Sequence, residues 1–223
     1  MDSEVLDIVN NINPDVLAPL PSADISNHPF YVLVESHGSD EDHDQAKLER
    51  FLEYVMDHGI ISDGVLAQSL AQIDEMWKLR ESCNPACAAS GYVYKYDVSL
   101  PIPEFSSFIT SIREAVDHNI DDDTQLTVVN WGHVVDGNLH LNIIARDQFE
   151  IDPILSNQLE DLVLDQVIER GGSISAEHGL GQYKNKHMPR IKDGLTLNKM
   201  RAIKDLFDSN GILNPGKYFP APV

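Results

Sequence analysis

Cysteine and basic residues are scarce in this 223-residue sequence, and it contains no long apolar run. The two cysteines, Cys83 and Cys87, have a C-x3-C spacing but no second pair to complete a structural zinc site, so we expect reduced, structural thiols. The 36 acidic residues outnumber the 16 lysines and arginines. The resulting net charge of −20 argues against nucleic acid or an anionic membrane as a partner. No stretch approaches the roughly 18–20 apolar residues of a membrane span.

The N-terminal residues carry no targeting signal. Positions 2 and 4 are acidic, whereas a secretory signal begins with a basic segment followed by an apolar one. A mitochondrial presequence is rich in arginine and poor in acids, which these residues also fail to match. The residues alone therefore name no destination, and the expected reduced thiols fit an intracellular compartment.

Hydrophobic periodicity and turn residues predict both strands and helices. The predicted strands cover residues 29–35, 91–99, 125–132 and 138–146. The predicted helices cover residues 39–58, 65–83, 104–118, 151–170 and 196–210. Residues 1–28 contain three prolines and have weak periodicity, which indicates a loosely packed arm or a linker remnant. The order of elements over 29–223 predicts an α+β domain, in which helices pack on an antiparallel sheet.

The segment 132–142 has a histidine on each side of a turn. Asp136-Gly137 is a strong hairpin signal, and a turn centred there places His133 directly opposite His140. Their Cβ atoms would then lie about 4.5–5.5 Å apart, so that both imidazoles could bind one metal ion. Strand alternation puts Asn142 on the same face as His140. The competing interpretation is a pair of unrelated surface histidines.

A glycine- and serine-rich segment, 171–181, contains Glu177 and His178 side by side. Glu177 could join the two hairpin histidines in a His2Glu site with an open coordination position, as in catalytic zinc sites. His178 would then remain free as a general base near neutral pH. The alternative is a flexible loop in which both side chains are merely exposed.

Two cations, Arg80 and Lys95, fall within predicted regular elements. Arg80 lies on the helix over 65–83, and Lys95 is an interior residue of the strand over 91–99. Two cations that point into one cavity suit an anionic substrate, because arginine can bind a carboxylate through two parallel hydrogen bonds. A salt bridge from Lys95 to Asp97 or Glu81 is the alternative.

Four motifs, in order, resemble the C-terminal domain of the FAD-linked oxidases, and within that family the D-2-hydroxyglutarate dehydrogenases. The motifs are YVYKYDVSLP at 92–101, GHVVDGNLHLN at 132–142, SISAEHGLG at 173–181 and GILNPGK at 211–217. The resemblance implies a ferredoxin-like α+β fold. It also implies an enzyme that oxidises D-2-hydroxyglutarate, D-lactate or a related 2-hydroxyacid and passes a hydride to FAD. Because no glycine-rich phosphate-binding segment precedes residue 28, the N-terminal FAD-binding domain is expected to be absent from this chain.

The resemblance also implies roles for individual residues. The implied ligands for zinc or manganese are His133, His140 and Glu177. The implied base for the hydroxyl proton is His178. The implied substrate contacts are Arg80, Asn84, Lys95, Asn142 and His178, with Arg80 and Lys95 on the distal carboxylate. A weaker correspondence suggests Asn214 and Lys217 as cofactor contacts.

Two positions depart from the family pattern. Asn84 stands where the dehydrogenases often have threonine, which changes the reach of the polar group. Val135 stands where the family usually has glycine, and a β-branched residue there is expected to disturb His133 if the position needs a positive φ.

The expected partners are a small 2-hydroxy(di)carboxylic acid and an FAD-binding domain or electron acceptor. The resemblance implies a mitochondrial location, with the cytoplasm as the alternative. Two other functions fit the same residues. One is a truncated paralogue that has lost catalysis, and the other is a stand-alone metal-dependent hydrolase in which His178 activates water.

Overall fold

A computed structural model describes residues 1–16, 28–120 and 125–219 of the chain. The chain divides into two compact units, Met1–Tyr92 and Val93–Val223. No helix of the described residues is long and apolar enough to cross a membrane.

The first unit begins with a helix, α1 (Ser3–Ile12), where we expected a loosely packed arm. The side chain of Asp2 caps this helix by accepting a hydrogen bond from the Val5 N–H at 3.0 Å. Its buried apolar residues are Val5, Leu6, Ile8 and Val9. They recur at helical spacing and face α3, so α1 is part of a core. Residues 17–27 of the expected arm lie outside the described residues.

The predicted strand over 29–35 is wrong. Only Phe30 forms an isolated bridge, with Asp2, and the N–H of Tyr31 donates to the Met1 carbonyl at 2.8 Å. The β-branched and aromatic residues of this segment favour strands only where a neighbouring strand accepts the remaining backbone groups.

Two further helices complete the first unit, α2 (Glu41–Asp57) and α3 (Leu70–Ser90). The first matches the predicted span of 39–58 within two residues, and Gly59 follows it with a φ of 64°. The second begins later than predicted, after the cap Ser69, and continues through Pro85. Ala86 and Cys87 extend its buried stripe, so tertiary packing outweighs the local cost of the proline.

The second unit contains most of the sheet, with helices packed on it, as the α+β prediction requires. Its strands are β1 (Gly91–Ser99), β2 (Leu126–His133) and β3 (Asn138–Arg146), in the order β1-β3-β2. Its helices are α4 (Phe105–Asn119), α5 (Pro153–Glu169), α6 (Met188–Ile191) and α7 (Gly194–Phe207). Fully buried side chains from α4, α5 and β3 form the core; they include Phe108, Ile112, Leu159, Leu141 and Ile143.

The β2–β3 hairpin has a register different from the one predicted. His133 pairs with Asn138, and Trp131 pairs with His140, so the two histidines are not directly opposite. The strands are joined by the four residues 134–137, in which Gly137 adopts a left-handed conformation with a φ of 65°. The longer turn moves the centre of the hairpin by one residue along the chain. Both histidines remain on one face of the sheet because antiparallel partners share a face.

The end of β1 forms backbone hydrogen bonds with two loops, the hairpin turn and the loop that begins at Ser173. Ser99 exchanges two backbone hydrogen bonds with Ser173, at 3.0 and 2.8 Å. The next residue, Leu100, donates its N–H to the Gly137 carbonyl at 3.0 Å. The hairpin turn and the loop that begins at Ser173 are therefore both fixed to β1.

Candidate functional site

The predicted group of His133, His140 and Glu177 meets on one face of the sheet. Nε2 of His133 lies 3.7 Å from Oε1 of Glu177, and Nε2 of His140 lies 3.9 Å from Oε2 of the same residue. The two imidazole rings are 5.4 Å apart and nearly perpendicular. Two strands and one loop thus bring three nitrogen and oxygen donors together.

This donor set fits a divalent metal ion. One ligand atom from each residue can be chosen so that all three lie within 4.8 Å of one another. Two donors bound to one zinc ion at tetrahedral angles are about 3.4 Å apart, given metal–ligand bonds of about 2.1 Å. The observed separations of 3.7 and 3.9 Å need only small side-chain adjustments. Three protein ligands would leave a coordination position open.

His178 lies beside this group without belonging to it. Its ring stacks on that of His140 at a centroid distance of 6.2 Å and an interplanar angle of 19°. Its Nδ1 lies 3.9 Å from Oδ2 of Asp97, and its side chain is 66% exposed. The imidazole is therefore held next to the donor group while it stays open to a ligand.

Asp97 is a site residue that the sequence analysis considered only as a salt-bridge partner. Its side chain is 2% exposed. Its Oδ2 accepts the backbone N–H groups of Ala176, Glu177 and His178 at 3.1, 2.8 and 2.9 Å. Burial alone would raise the pKa of Asp97, but these N–H donors and the nearby His178 hold it below the ordinary value. The sequence feature that could have identified Asp97 as a site residue is an acidic residue at an interior position of a predicted strand.

Lys184 supports the same loop from its other side. Its Nζ donates to the Ile174 carbonyl at 2.7 Å and approaches the Asp97 carbonyl at 3.5 Å. Burial lowers the pKa of this lysine, an effect that the nearby Asp97 and Glu160 oppose. The half-buried ammonium group thus ties the start of the loop to β1.

Two predicted substrate residues, Asn142 and Lys95, belong to the second unit. Asn142 is buried on β3, on the face of His140, and its Nδ2 donates to the His140 carbonyl at 3.0 Å. Lys95 is exposed on β1, two residues before Asp97 and on the same strand face.

Arg80 and Asn84 lie on α3 in the first unit, four residues apart and therefore on one side of that helix. Arg80 is half-buried and Asn84 is exposed. A cavity shared by Arg80, Asn84 and Lys95 stays a prediction.

The C-terminal residues Asn214 and Lys217 are exposed, and Asn214 has a φ of 48°. Their segment is attached near the site loop. The Tyr218 N–H donates to the Gly181 carbonyl at 2.8 Å, and the Asn185 side chain donates to the Gly216 carbonyl at 2.9 Å. A cofactor contact by Asn214 or Lys217 stays a prediction.

Val135 does not disturb the hairpin. Its side chain is 94% exposed, and its φ is not positive, since the left-handed residue of the turn is Gly137. The condition under which valine was expected to displace His133 is therefore not met.

A pocket of about 330 Å³ lies beside Glu177. It is lined by Ser99, Asp136, Asn138, Ser175, Ala176 and Glu177. Asn138 is 1% exposed, and neither polar atom of its carboxamide has a hydrogen-bond partner within the described residues. This pocket thus adjoins the donor group through Glu177.

Comparison with known proteins identifies the family. A model of the family described as "FAD linked oxidases, C-terminal domain" matches residues 1–218. The chain belongs to this family. The match includes the residues 1–28 that we expected to be a linker remnant, while the assignment of 29–223 to one substrate- and metal-binding domain stays a prediction.

Curated relatives show similarity along most of the chain. It is 39% identical over 220 residues to a mitochondrial D-2-hydroxyglutarate dehydrogenase of Arabidopsis thaliana, with 99% of this chain covered. It is 39% identical over 199 residues to the D-2-hydroxyglutarate dehydrogenase, mitochondrial, of Bos taurus, with 89% covered. It is 38% identical over 208 residues to a D-2-hydroxyglutarate–pyruvate transhydrogenase of Saccharomyces cerevisiae, with 92% covered. The aligned regions span only 37%, 35% and 41% of these relatives.

Proposed function

We propose that the chain is the substrate- and metal-binding part of a flavin-dependent D-2-hydroxyacid dehydrogenase. The reaction is oxidation of D-2-hydroxyglutarate, or of D-lactate, to the 2-oxoacid with hydride transfer to FAD. The observation that carries the proposal is the convergence of two histidines and a glutamate next to the exposed imidazole of His178. The names of the relatives support the choice of substrate.

His133, His140 and Glu177 are the proposed ligands of a zinc or manganese ion. Such an ion would lower the pKa of a bound hydroxyl group, and FAD would supply the hydride acceptor. The chain's own contribution is a rigid donor set: two ligands stand on paired strands, and the third stands on a loop fixed to β1.

His178 is the proposed base. Because its Nδ1 faces Asp97 at 3.9 Å, Nε2 is the nitrogen that takes the hydroxyl proton. With FAD bound, the C2–H electron pair would leave as hydride to the flavin, the C2–O bond would become a carbonyl, and the hydroxyl proton would move to His178. Release of this proton to solvent would then restore the neutral imidazole for the next substrate.

The remaining predicted residues recognise the acid. Lys95 and Arg80 would bind the distal carboxylate, which gives preference to a dicarboxylic acid, while Asn84 and Asn142 would contact polar groups of the substrate. Asn214 and Lys217 are the proposed cofactor contacts. The relatives named as mitochondrial support a mitochondrial location.

Metal analysis and ligand binding of the 223-residue chain test the site. We expect about one zinc per chain and binding of D-2-hydroxyglutarate that chelation abolishes. The double variant His133→Ala, His140→Ala should lose both. A matched variant, His43→Ala, His118→Ala, removes two histidines of the exposed surface and should keep both. Equal zinc content in the two double variants would contradict the proposed metal site.

Turnover is tested by combining the chain with the flavin-binding part of the Arabidopsis relative. We expect reduction of a dye acceptor that depends on D-2-hydroxyglutarate, and a loss of kcat of about 100-fold or more in His178→Gln, because general bases contribute roughly 10²–10⁴. Substrate binding without turnover in this assembly would indicate the non-catalytic paralogue. Zinc-dependent ester hydrolysis without hydroxyacid binding would indicate the hydrolase.

A further inference from the structure

We infer that Asp97 is the positioning residue of the metal centre, holding the loop of Glu177 and His178 with one carboxylate oxygen and orienting His140 with the other. The inference rests on the metal site proposed above. It assigns Asp97 no contact with the ion or the substrate.

The first oxygen, Oδ2, binds the loop backbone. It accepts three consecutive N–H groups, from Ala176, Glu177 and His178, all within 3.1 Å. Hydrogen bonds to an ionised carboxylate are shorter and stronger than neutral ones, and three of them converge here on one buried atom. The metal ligand Glu177 and the proposed base His178 are thereby fixed to the same point on β1.

The second oxygen, Oδ1, faces His140. It is buried and has no hydrogen-bond partner within the described residues, and it lies 3.7 Å from Nδ1 of His140. The opposite ring nitrogen, Nε2, lies 3.9 Å from Glu177. When Nε2 binds the ion, Nδ1 carries the ring proton, and a shift of under about 1 Å lets it donate to Oδ1.

Direct ligation by Asp97 is the competing role. One donor atom each of Asp97, Glu177 and His178 also lies within 4.8 Å of the others. Oδ2, however, already accepts three hydrogen bonds, and Oδ1 points to a ring that has its own metal-facing nitrogen. A ligating Asp97 would have to give up the N–H groups that hold Glu177 in place. The geometry therefore favours positioning.

The first experiment measures zinc affinity of the 223-residue chain by competition with a chromophoric chelator. Asp97→Asn keeps one side-chain oxygen to accept the loop N–H groups. The other oxygen is replaced by an uncharged amide group, which cannot accept a hydrogen bond from Nδ1 of His140. We expect its zinc dissociation constant to rise about 10- to 100-fold, the usual effect of losing an outer-shell partner of a metal-bound histidine. Asp117→Asn removes an equal charge from the exposed surface of α4, and its constant should change less than twofold. Equal affinities of Asp97→Asn and the unaltered chain would overturn the inference.

The second experiment needs no change at Asp97 and stands if Asp97→Asn does not fold. Nitrogen-15 NMR of histidine-labelled, zinc-loaded chain, with His140 assigned by its loss in His140→Gln, reports which ring nitrogen carries the proton. The inference requires a protonated Nδ1 and a metal-bound Nε2. A metal-bound Nδ1 would defeat it, because that nitrogen could not then donate to Asp97.

The two proposals fail differently. If the unaltered chain binds no zinc, or binds it equally well without His133 and His140, the proposed metal site is wrong. If zinc binding needs those histidines but His140 is bound through Nδ1, or Asp97→Asn binds as tightly as the unaltered chain, the metal site stands and the role of Asp97 is wrong.

Discussion

His133 lies opposite Asn138 in the hairpin, which leaves His140 diagonal to it on the same face. Diagonal partners are typically about 7–8 Å apart between their Cα atoms, farther than direct partners but within reach of two imidazoles. The observed ring distance of 5.4 Å agrees with this arrangement. The two proposed ligands are therefore near enough to bind one ion, with their rings nearly perpendicular rather than stacked.

The hairpin turn should be sensitive at Gly137 and tolerant at Val135. Gly137→Ala places a Cβ on a residue with a φ of 65°, 2.9 Å from the Leu100 carbonyl oxygen. We expect it to lower the free energy of unfolding by about 1–3 kcal/mol and to weaken zinc binding. Val135→Gly should cost about 0.5–1 kcal/mol through the greater freedom of the unfolded chain and leave zinc affinity within twofold. Urea denaturation and chelator competition measure both; a larger effect from Val135→Gly would contradict the described turn.

Lys184 should matter more for stability than a fully exposed lysine. Lys184→Met removes the ammonium group that donates to the Ile174 carbonyl, leaving that acceptor without this partner. We expect a loss of about 1.5–3 kcal/mol in unfolding free energy, the usual range for a hydrogen bond to a charged group. Lys192→Met, at an exposed position, is the matched control and should stay within about 0.5 kcal/mol. Equal effects in urea denaturation would argue against the support of the loop by Lys184.

Both cysteines should resist alkylation in the native chain. Cys83 and Cys87 are fully buried, and burial raises the pKa of the Cys83 thiol to about 11. At pH 8 about one Cys83 thiol in a thousand is then a thiolate, the reactive form. Mass spectrometry after iodoacetamide treatment should show no label under native conditions. It should show two labels after unfolding in about 8 M urea. Rapid native labelling would show that α3 opens readily.

Acid should weaken the second unit through Asp208. Its hydrogen bond from Lys204 lowers its pKa, and the N–H groups of Ile212 and Leu213, at 3.0 and 2.9 Å, lower it further against the effect of burial. Because the folded value is below the unfolded one, the stabilisation is complete above the ordinary pKa of about 3.9 and is lost as the pH falls through the folded value.

The Asp208 prediction is measured by urea denaturation between about pH 2 and pH 6. Asp208→Asn should be less stable than the unaltered chain at the upper end of this range, and the two curves should converge at the lower end. Asp205→Asn, at an exposed position on α7, should follow the unaltered chain throughout. A constant difference across the range would mean that the carboxylate charge is unimportant.

Strand alternation and turn residues located the three strands of the sheet but also predicted a strand over 29–35 that does not form. The strand over 91–99 was predicted to the residue, and both hairpin strands within one residue. The helix α1 was missed although Val5, Leu6, Ile8 and Val9 have helical spacing, because three nearby prolines suggested a linker. The helical pattern of apolar residues was present in α1, and the prolines that follow it did not prevent the helix.

The sequence predicted those features of the site that depend on neighbouring residues, and missed those that depend on distant ones. The residues that meet were recognised, but the hairpin register depends on a four-residue turn that Asp136-Gly137 does not specify. The role of Asp97 depends on backbone groups 79 to 81 residues away, which periodicity cannot reveal. Distant contacts of this kind require the assembled sheet.

The N–H groups of Ala176, Glu177 and His178 point inward to Asp97, so the loop cannot offer them to a ligand as an oxyanion hole. The negative charge of the proposed acid substrate would instead be met by a bound cation or by lysine and arginine side chains. Without the cation, the acid would approach two carboxylates, those of Asp97 and Glu177, whose fields oppose its entry. Under the proposed function, affinity for the acid would therefore depend on the bound ion.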